Sequence, residues 1–390
     1  MKIRIRRFAT PFALALGLTA APAIAQTQGI TAREILIGTI QDLSGPVAAL
    51  GVPNRQGMDL AVDVINEQGG IHGRKVRLLA EDSSYDTKKG VLATQKLLTG
   101  DKVFAFVGNL GSALVNATLP GIVEKGVPLL FPGAPGSELV LNPPKRLVFA
   151  SALPYDIAMA DATTYAHDVL GKRKFCIMYQ DDDSGTGVLK GVAGQLKKYN
   201  LPLVQTSYKR GDIHFSSQFA VMRKAGCDVV MLGTITRETA AAAVERAQMG
   251  WDVPMIAGQG ALSDAVLKLG GEAVEGLYCA AEKAPTPLLR HKPAIIELTR
   301  RYRARYNTDN EPDSSVLNGY SNMMLFAEGA RRAGPDLNVD TLVAGLEQIN
   351  RFETPGFPPA TFSKTQRLAY TNVHIMQIKA GAWTMVREAK

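Results

Sequence analysis

The chain has 390 residues, of which 46% are hydrophobic, and a formal net charge of +8 at pH 7. This length and apolar fraction suffice for about two domains that each bury a core. Four of the basic residues, Lys2, Arg4, Arg6 and Arg7, lie in the first 25 positions, and without them the charge falls to +4 and no long basic run remains. The composition therefore argues against a nucleic-acid partner.

The N-terminal segment has the pattern of a secretory signal peptide. A basic start is followed by an apolar stretch from Phe8 to Ile24 and by Ala23-Ile24-Ala25, an Ala-x-Ala cleavage site, before Gln26. Threonine, glycine and proline interrupt the apolar stretch, which disfavours the alternative of a retained membrane helix. We expect residues 1–25 to be removed and the mature protein to lie outside the cytoplasmic membrane.

Strand-like and helix-like segments alternate in the first half of the mature chain. Apolar runs predict strands at 34–40, 75–80, 103–106 and 127–131. Helical periodicity predicts helices at 54–68, at 88–98 and from 112 onward. Such alternation is typical of a mainly parallel sheet with helices on both faces.

The turn at Gly111 and Ser112 connects a buried strand to a helix. Backbone N–H groups at the start of a helix are unpaired and lie at the positive end of its dipole, so this turn can receive an anion or a carbonyl oxygen. The turn has no lysine and no GxxxxGK[ST] spacing, which argues against a triphosphate. The alternative is purely structural: Ser112 caps the helix and Gly111 permits the turn.

The same alternation begins again after Pro154. It predicts strands at 174–179, 203–208, 228–233, 254–257 and 276–281, and helices at 187–199, 215–225 and 239–250. Two similar sheets in one chain imply two lobes. Ligands of such sheets bind at the carboxyl ends of the strands, so we expect a cleft between the lobes.

Cysteines and histidines do not form a recognisable chemical motif. The three cysteines, Cys176, Cys227 and Cys279, lie beside or within apolar runs, and we favour three buried free thiols over one disulfide. The five histidines lack metal-ligand spacing, and no GxSxG is present. We therefore expect neither an enzyme nor a cofactor. The run 181–183 of three aspartates fits helix capping better than a cation site.

Five segments occur in a recognisable order. They are 40–46 (IQDLSGP), 57–61 (GMDLA), 65–76 (INEQGGIHGRKV), 81–86 (EDSSYD) and 179–185 (YQDDDSG). Together they resemble the periplasmic branched-chain amino-acid binding protein family over essentially the whole mature chain. The resemblance implies a type I periplasmic binding protein, with two doubly wound parallel-sheet lobes joined by a hinge of three crossovers.

This resemblance also implies a domain division and partners. Lobe I would comprise residues 26–152 and 282–370, and lobe II residues 153–281 and 371–390. The protein would be a periplasmic monomer that delivers a small solute to an ABC permease and ATPase in the inner membrane. A sensing module that reports to a membrane receptor is an alternative, because it needs the same two-lobed clamp.

The family pattern assigns ligand-binding positions in both lobes. Ser112 matches the serine that holds the ligand carboxylate, and the loop after the next strand falls at Gly133, Ala134 and Pro135, with proline where the family has a threonine. Proline lacks both an N–H and a hydroxyl, so two donors of the pattern are missing. The remaining expected site positions are Gly111, Leu50, Ser184, Thr234, Ile235, Gln259 and Gly260.

The second lobe departs from the family in its charge. Members that bind α-amino acids place a glutamate at the strand end that here reads Ala257-Gly258-Gln259-Gly260. A buried ammonium without an anion costs several kcal/mol. We therefore predict a small carboxylate-bearing solute, with aromatic or other organic acids favoured over leucine or valine. An amino acid is the alternative, with Glu238 as the nearest replacement carboxylate.

Overall fold

The computed structural model describes residues 1, 27–133, 136–141 and 143–388. The predicted signal peptide, apart from its first residue, and the predicted site residues Ala134 and Pro135 lie outside this part of the chain. Among the described helices, none has the length and apolar character needed to cross a membrane.

Two sheets organise the molecule. The first has the order β2-β1-β3-β4-β5 and is entirely parallel. Its strands are β1 (Glu34–Gln41), β2 (Lys75–Asp82), β3 (Ala105–Val107), β4 (Leu129–Leu130) and β5 (Val148–Phe149). The second has the order β12-β11-β10-β9-β8-β6-β7. Its strands are β6 (Phe175–Gln180), β7 (Leu203–Tyr208), β8 (Val229–Gly233), β9 (Met255–Gly258), β10 (Tyr278–Ala281), β11 (His374–Lys379) and β12 (Ala382–Arg387).

Helices cover both sheets. They are α1 (Ala48–Glu67), α2 (Thr87–Gln95), α3 (Ser112–Glu124), α4 (Ser137–Val140), α5 (Tyr155–Asp168), α6 (Asp183–Tyr199), α7 (Ser216–Lys224), α8 (Thr236–Gln248), α9 (Asp264–Gly270), α10 (Pro293–Tyr306), α11 (Ser314–Arg332) and α12 (Val339–Glu347). The predicted α/β class is confirmed. The second sheet departs from a purely parallel one, because β11 and β12 are antiparallel to their neighbours.

The chain passes between the two sheets three times. It leaves the first sheet after β5, leaves the second after β10 to form helices that pack on α1, and returns to the second sheet at β11. We call the part packed around the five-stranded sheet lobe I and the part packed around the seven-stranded sheet lobe II. The three passages agree with the expected crossovers, while the exact lobe boundaries remain predictions.

The two long helices of lobe I approach each other closely through glycines. A Cβ atom on Gly319 of α11 would lie 1.8 Å from the backbone oxygen of Asn54 in α1, and one on Gly57 would lie 2.0 Å from the oxygen of Val316. A Cβ atom essentially never lies within 3.0 Å of a non-bonded heavy atom. The glycines therefore set the distance between α1 and α11 and leave no room for a side chain.

The prediction of three free thiols is wrong. Cys176 on β6 and Cys227, just before β8, form a disulfide whose Cα atoms are 5.9 Å apart, and Cys279 is a buried free thiol. The partners are 51 residues apart in the chain and become neighbours only when β6 and β8 pair. No local spacing signalled this pairing, which is why the apolar surroundings of the cysteines were misleading.

Candidate functional site

A cleft lies between the lobes at the carboxyl ends of the strands. Its lining combines apolar side chains with a few polar and charged ones, a composition typical of clefts that hold small-molecule ligands. Eight of the predicted positions line it, namely Leu50, Gly111, Ser112, Gly133, Ser184, Ile235, Gln259 and Gly260. Thr234 lies outside this lining, since it is buried and its hydroxyl is hydrogen-bonded to that of Thr239 at 2.7 Å.

The turn before α3 has the geometry of a helix start that faces a ligand. Gly111 has a φ of 106°, which a side chain rarely tolerates, and Ser112 is the first residue of α3. Ser112 is 6% exposed, and the hydroxyl of Ser184 in lobe II donates to its hydroxyl at 3.3 Å. Ser184 lies in the first turn of α6, which Asp182 caps through the N–H groups of Ser184 and Gly185. The starts of two helices, one from each lobe, therefore converge at Ser112.

The loop after β1 forms one wall of the cleft and is held by two aspartates. Asp42 accepts hydrogen bonds from the N–H groups of Gly45 and Val47, and Asp82 accepts from the Ser44 hydroxyl at 2.5 Å. Burial alone would raise the pKa of Asp82, but the hydrogen bonds from Ser44 and from the neighbouring N–H groups lower it to about 2. This loop brings the side chain of Val47 to the cleft, and Leu50 follows on α1.

Aromatic and aliphatic side chains supply most of the remaining wall. Val47 and Tyr85 of lobe I pack against Ile235 of lobe II, with Leu50 and Leu110 beside them. On the lobe II side, Tyr155 packs over glycines, because a Cβ on Gly260 would lie 2.8 Å from its hydroxyl oxygen. A ligand in this cleft therefore meets an apolar surface along its length.

Amides form a fixed polar edge in lobe I. Asn54 and Asn318 both line the cleft, and the Asn318 amide donates to the side-chain oxygen of Asn54 at 3.1 Å. Asn54 in turn donates to Gln41 at 2.9 Å, and Gln41 donates to the backbone oxygen of Gly108 at 2.8 Å. This chain of hydrogen bonds connects α11 and α1 to the end of β3, so the edge is held in place by the core of lobe I.

Two adjacent charged residues enter the cleft directly after β10. Glu282 is 0% exposed and Lys283 is 8% exposed, and the Lys283 Nζ lies 3.9 Å from the nearer Glu282 oxygen. Sequence reasoning missed both residues. The available signal was a charged pair immediately after a buried strand, at the end of the strand where ligands bind.

Glu238, the replacement carboxylate expected from the sequence, is not part of the cleft lining. It lies in the first turn of α8, is 2% exposed, and burial raises its pKa. The segment Gly258-Gln259-Gly260 contains no carboxylate, as the sequence shows, and the Gln259 amide donates to the Leu153 backbone oxygen at 2.5 Å. The carboxylate in the cleft is therefore Glu282.

Arg210 of lobe II connects the two lobes beside the cleft. It donates to the backbone oxygen of Tyr85 in lobe I and to Asp182 in lobe II, each at 2.6 Å. Its guanidinium also lies 4.2 Å from the centre of the Tyr85 ring. A further hydrogen bond between the lobes runs from the Asn116 amide on α3 to the Asp183 carboxylate on α6 at 3.0 Å. The described conformation is thus one in which the lobes are closed on each other.

Within the described ranges, no group of three or more histidine, cysteine, aspartate or glutamate side chains has the arrangement of a metal site. Asp182 acts as a helix cap, which confirms the structural interpretation of the aspartate run.

Comparison with known proteins supports this architecture. Leu/Ile/Val-binding protein homolog 3 of Brucella melitensis biotype 1 is 26% identical over 369 residues, covering 93% of this chain and 97% of that protein. A fatty acid ABC transporter substrate-binding protein from Thermomonospora curvata superposes with a TM-score of 0.84 at 24% identity and covers 94% of each chain. A branched chain amino acid ABC transporter from Thermus thermophilus with bound valine gives 0.82 at 16% identity, covering 92% and 96%.

The two structural similarities show a shared fold. The family itself follows from the sequence, since a model described as periplasmic binding protein matches residues 34–382. That range includes strands β1 to β11 and every described residue that lines the cleft. The chain belongs to the periplasmic binding protein family.

Proposed function

We propose that this protein is the periplasmic solute-binding component of an ABC importer and captures a small carboxylate-bearing solute between its lobes. The observation that carries the proposal is the cleft itself, in which the start of α3 at Ser112 is enclosed by both lobes. The protein would act as a monomer, without a cofactor and without catalysis, and would deliver its solute to a permease and ATPase complex.

The chemistry at Ser112 favours a carboxylate. The first N–H groups of a helix and its dipole attract an anion, and here a second helix start from lobe II lies opposite. The names of the relatives agree, because leucine, isoleucine, valine and fatty acids all carry a carboxylate. The disulfide also fits a protein that folds in an oxidising compartment outside the cytoplasm.

Two classes of solute remain candidates. An aromatic or other organic acid was favoured because the segment 257–260 provides no carboxylate for an ammonium, and the apolar walls of the cleft suit its body. An amino acid is favoured by Glu282, which supplies a buried carboxylate in the cleft lining. The difference between the two classes is a single amine.

Replacing Ser112 by alanine should weaken solute binding by about 1–3 kcal/mol, because an ionised acceptor loses a hydrogen bond in a closed site. The solute would first be identified by thermal-shift screening of amino acids, aromatic acids and amides, since a ligand at about a hundred times its Kd adds about 2.7 kcal/mol. Calorimetry with the wild type and Ser112→Ala then gives the difference. Equal affinities would remove Ser112 from the site.

Replacing Arg210 by alanine should lower solute affinity by about tenfold, because the closed state loses a charge-assisted hydrogen bond and a cation–π contact to Tyr85 across the lobes. The Arg210–Asp182 bond within lobe II is lost as well. Lys209→Ala is the matched control, since Lys209 is exposed and adjacent. Calorimetry measures the affinity. Small-angle scattering should show the wild type becoming more compact with solute, as expected for two lobes that close about a hinge. Equal affinities for the two variants would show that Arg210 does not stabilise the closed state.

A further inference from the structure

Glu282 is a buried carboxylate in the cleft. The proposed site for the solute carboxylate at Ser112 does not explain its role. It follows the last residue of β10, where the chain leaves lobe II, and both of its oxygens are buried without a hydrogen-bond partner among the described residues. Its neighbour Lys283 is 3.9 Å away, beyond hydrogen-bond distance. A buried acceptor left unpaired is destabilising, and more so when it is charged.

A second unpaired acceptor lines the same cleft. The side-chain oxygen of Gln259 has no partner in the described part of the chain, while its amide nitrogen is committed to Leu153. Gln259 and Glu282 therefore offer three acceptor oxygens, and the Leu153 oxygen accepts from one of the two N–H donors of the Gln259 amide. An ammonium group has three N–H donors and no acceptor, which is the complementary set.

We propose that Glu282, together with the side-chain oxygen of Gln259, forms a subsite for a protonated amine of the solute. This inference rests on the proposed function, because it places the amine at one end of a solute whose carboxylate lies at Ser112. The carboxylate of this subsite begins the crossover after β10 and so comes from a different segment than the strand end at 257–260, where the family resemblance implies the ammonium contact. Gln259 adds its oxygen from that strand end.

Charge balance favours an amine over a neutral donor. The groups that face Glu282 are Lys283, Cys279, Tyr155 and Tyr370, of which only Lys283 is a cation. Burial raises the pKa of Glu282, and the Lys283 charge and the nearby backbone N–H groups of Glu282 and Leu153 oppose this shift only in part. A zwitterionic solute leaves the cleft neutral with Glu282 ionised. An acid without an amine adds a negative charge, so it binds best when Glu282 takes up a proton.

The test uses solutes that share a carbon skeleton and differ in one group. Leucine, isocaproate and isoamylamine form one set, and phenylalanine, hydrocinnamate and phenethylamine form another. Aminohexanoate with the amine at the far end, hexanoate and hexylamine form the third, which varies the separation between the charges. Each is titrated by calorimetry into wild type, Glu282→Gln and Glu238→Gln. The last is the matched control, a buried glutamate outside the cleft lining.

We expect the amine-bearing member of at least one set to bind more tightly than its acid, and Glu282→Gln to weaken that member by about tenfold to a hundredfold. The acids should be weakened little, and their affinity should rise as the pH falls in the wild type but not in Glu282→Gln. Glu238→Gln should behave as the wild type. Thermal midpoints without solute identify any variant that is misfolded.

The outcomes separate the two proposals. Three results would overturn the amine subsite. They are equal binding of acids and amine-bearing acids, equal weakening of both by Glu282→Gln, and no binding of any solute that carries an amine. If the acids still bind in a Ser112-dependent way, the proposed function stands without it. Binding of simple amines that depends on Glu282 but not on Ser112 would instead retain the subsite and contradict the carboxylate site.

Discussion

Reduction of the Cys176–Cys227 disulfide should lower the free energy of unfolding of lobe II by about 3–4 kcal/mol, because it releases a loop closed over 51 residues. The bond joins β6 to the segment that leads into β8, and these two strands are neighbours in the lobe II sheet. Its loss therefore enlarges the unfolded ensemble of the lobe without removing a strand contact from the folded state.

The chain carries a suitable probe for this measurement. Both of its tryptophans belong to lobe II: Trp251 contacts Phe219, and Trp383 lies on β12. Urea unfolding followed by tryptophan fluorescence should show a lower midpoint with reductant, and the double variant Cys176→Ala/Cys227→Ala should no longer respond to reductant. Thiol titration of the denatured protein should find one thiol before reduction and three after it. Three thiols before reduction would refute the disulfide.

Replacing Gly319 by alanine should destabilise lobe I by about 3 kcal/mol, because overpacked contacts force the backbone to move. The new Cβ would lie 1.8 Å from the Asn54 backbone oxygen, so α1 and α11 must separate. Alanine normally favours a helix over glycine by about 1 kcal/mol, which offsets only part of the cost. Since Asn54 and Asn318 line the cleft, the same change should also weaken solute binding.

Gly121→Ala is the control for this variant. Gly121 also lies in a helix of lobe I, but nothing lies within 4 Å of the position of its Cβ. The substitution should therefore raise stability by up to about 1 kcal/mol. Thermal unfolding followed by far-ultraviolet circular dichroism measures both variants. Equal stabilities would show that the two helices can move apart at little cost.

The alternation of strands and helices was predictable because each element carries its own periodicity. The boundaries of the helices and strands were less predictable, and α1 is an example. The sequence predicts its start at Asn54, whereas the helix begins at Ala48 and contains Pro53. Gly51 and Pro53 are loop-like locally, but a Cβ on Gly51 would lie 1.9 Å from the Asp42 backbone oxygen, so the glycine serves close packing instead. The start of α1 is therefore set by tertiary contacts and not by local sequence preferences.

The residues of the candidate site also fall into predictable and unpredictable ones. Ser112 and Gln259 were predictable. Ser112 follows a glycine turn into a helix and matches the family serine, and Gln259 falls at the strand end where the family pattern has its glutamate. Tyr85 and Asn318 were missed, because they reach the cleft from a loop and a helix whose positions depend on the packing of the lobes. Glu282 was missed for a different reason: the family pattern places its carboxylate at the end of β9, whereas Glu282 follows β10, the next strand of the sheet.

The three passages between the sheets leave the first and last described strands on different lobes, β1 in lobe I and β12 in lobe II. The proposed closure therefore changes the separation between the two ends of the folded chain. Donor and acceptor fluorophores fused before β1 and after β12 would convert solute capture into a ratio of two emission intensities. The topology that builds the hinge thus also makes this protein a scaffold for a genetically encoded sensor of its own solute.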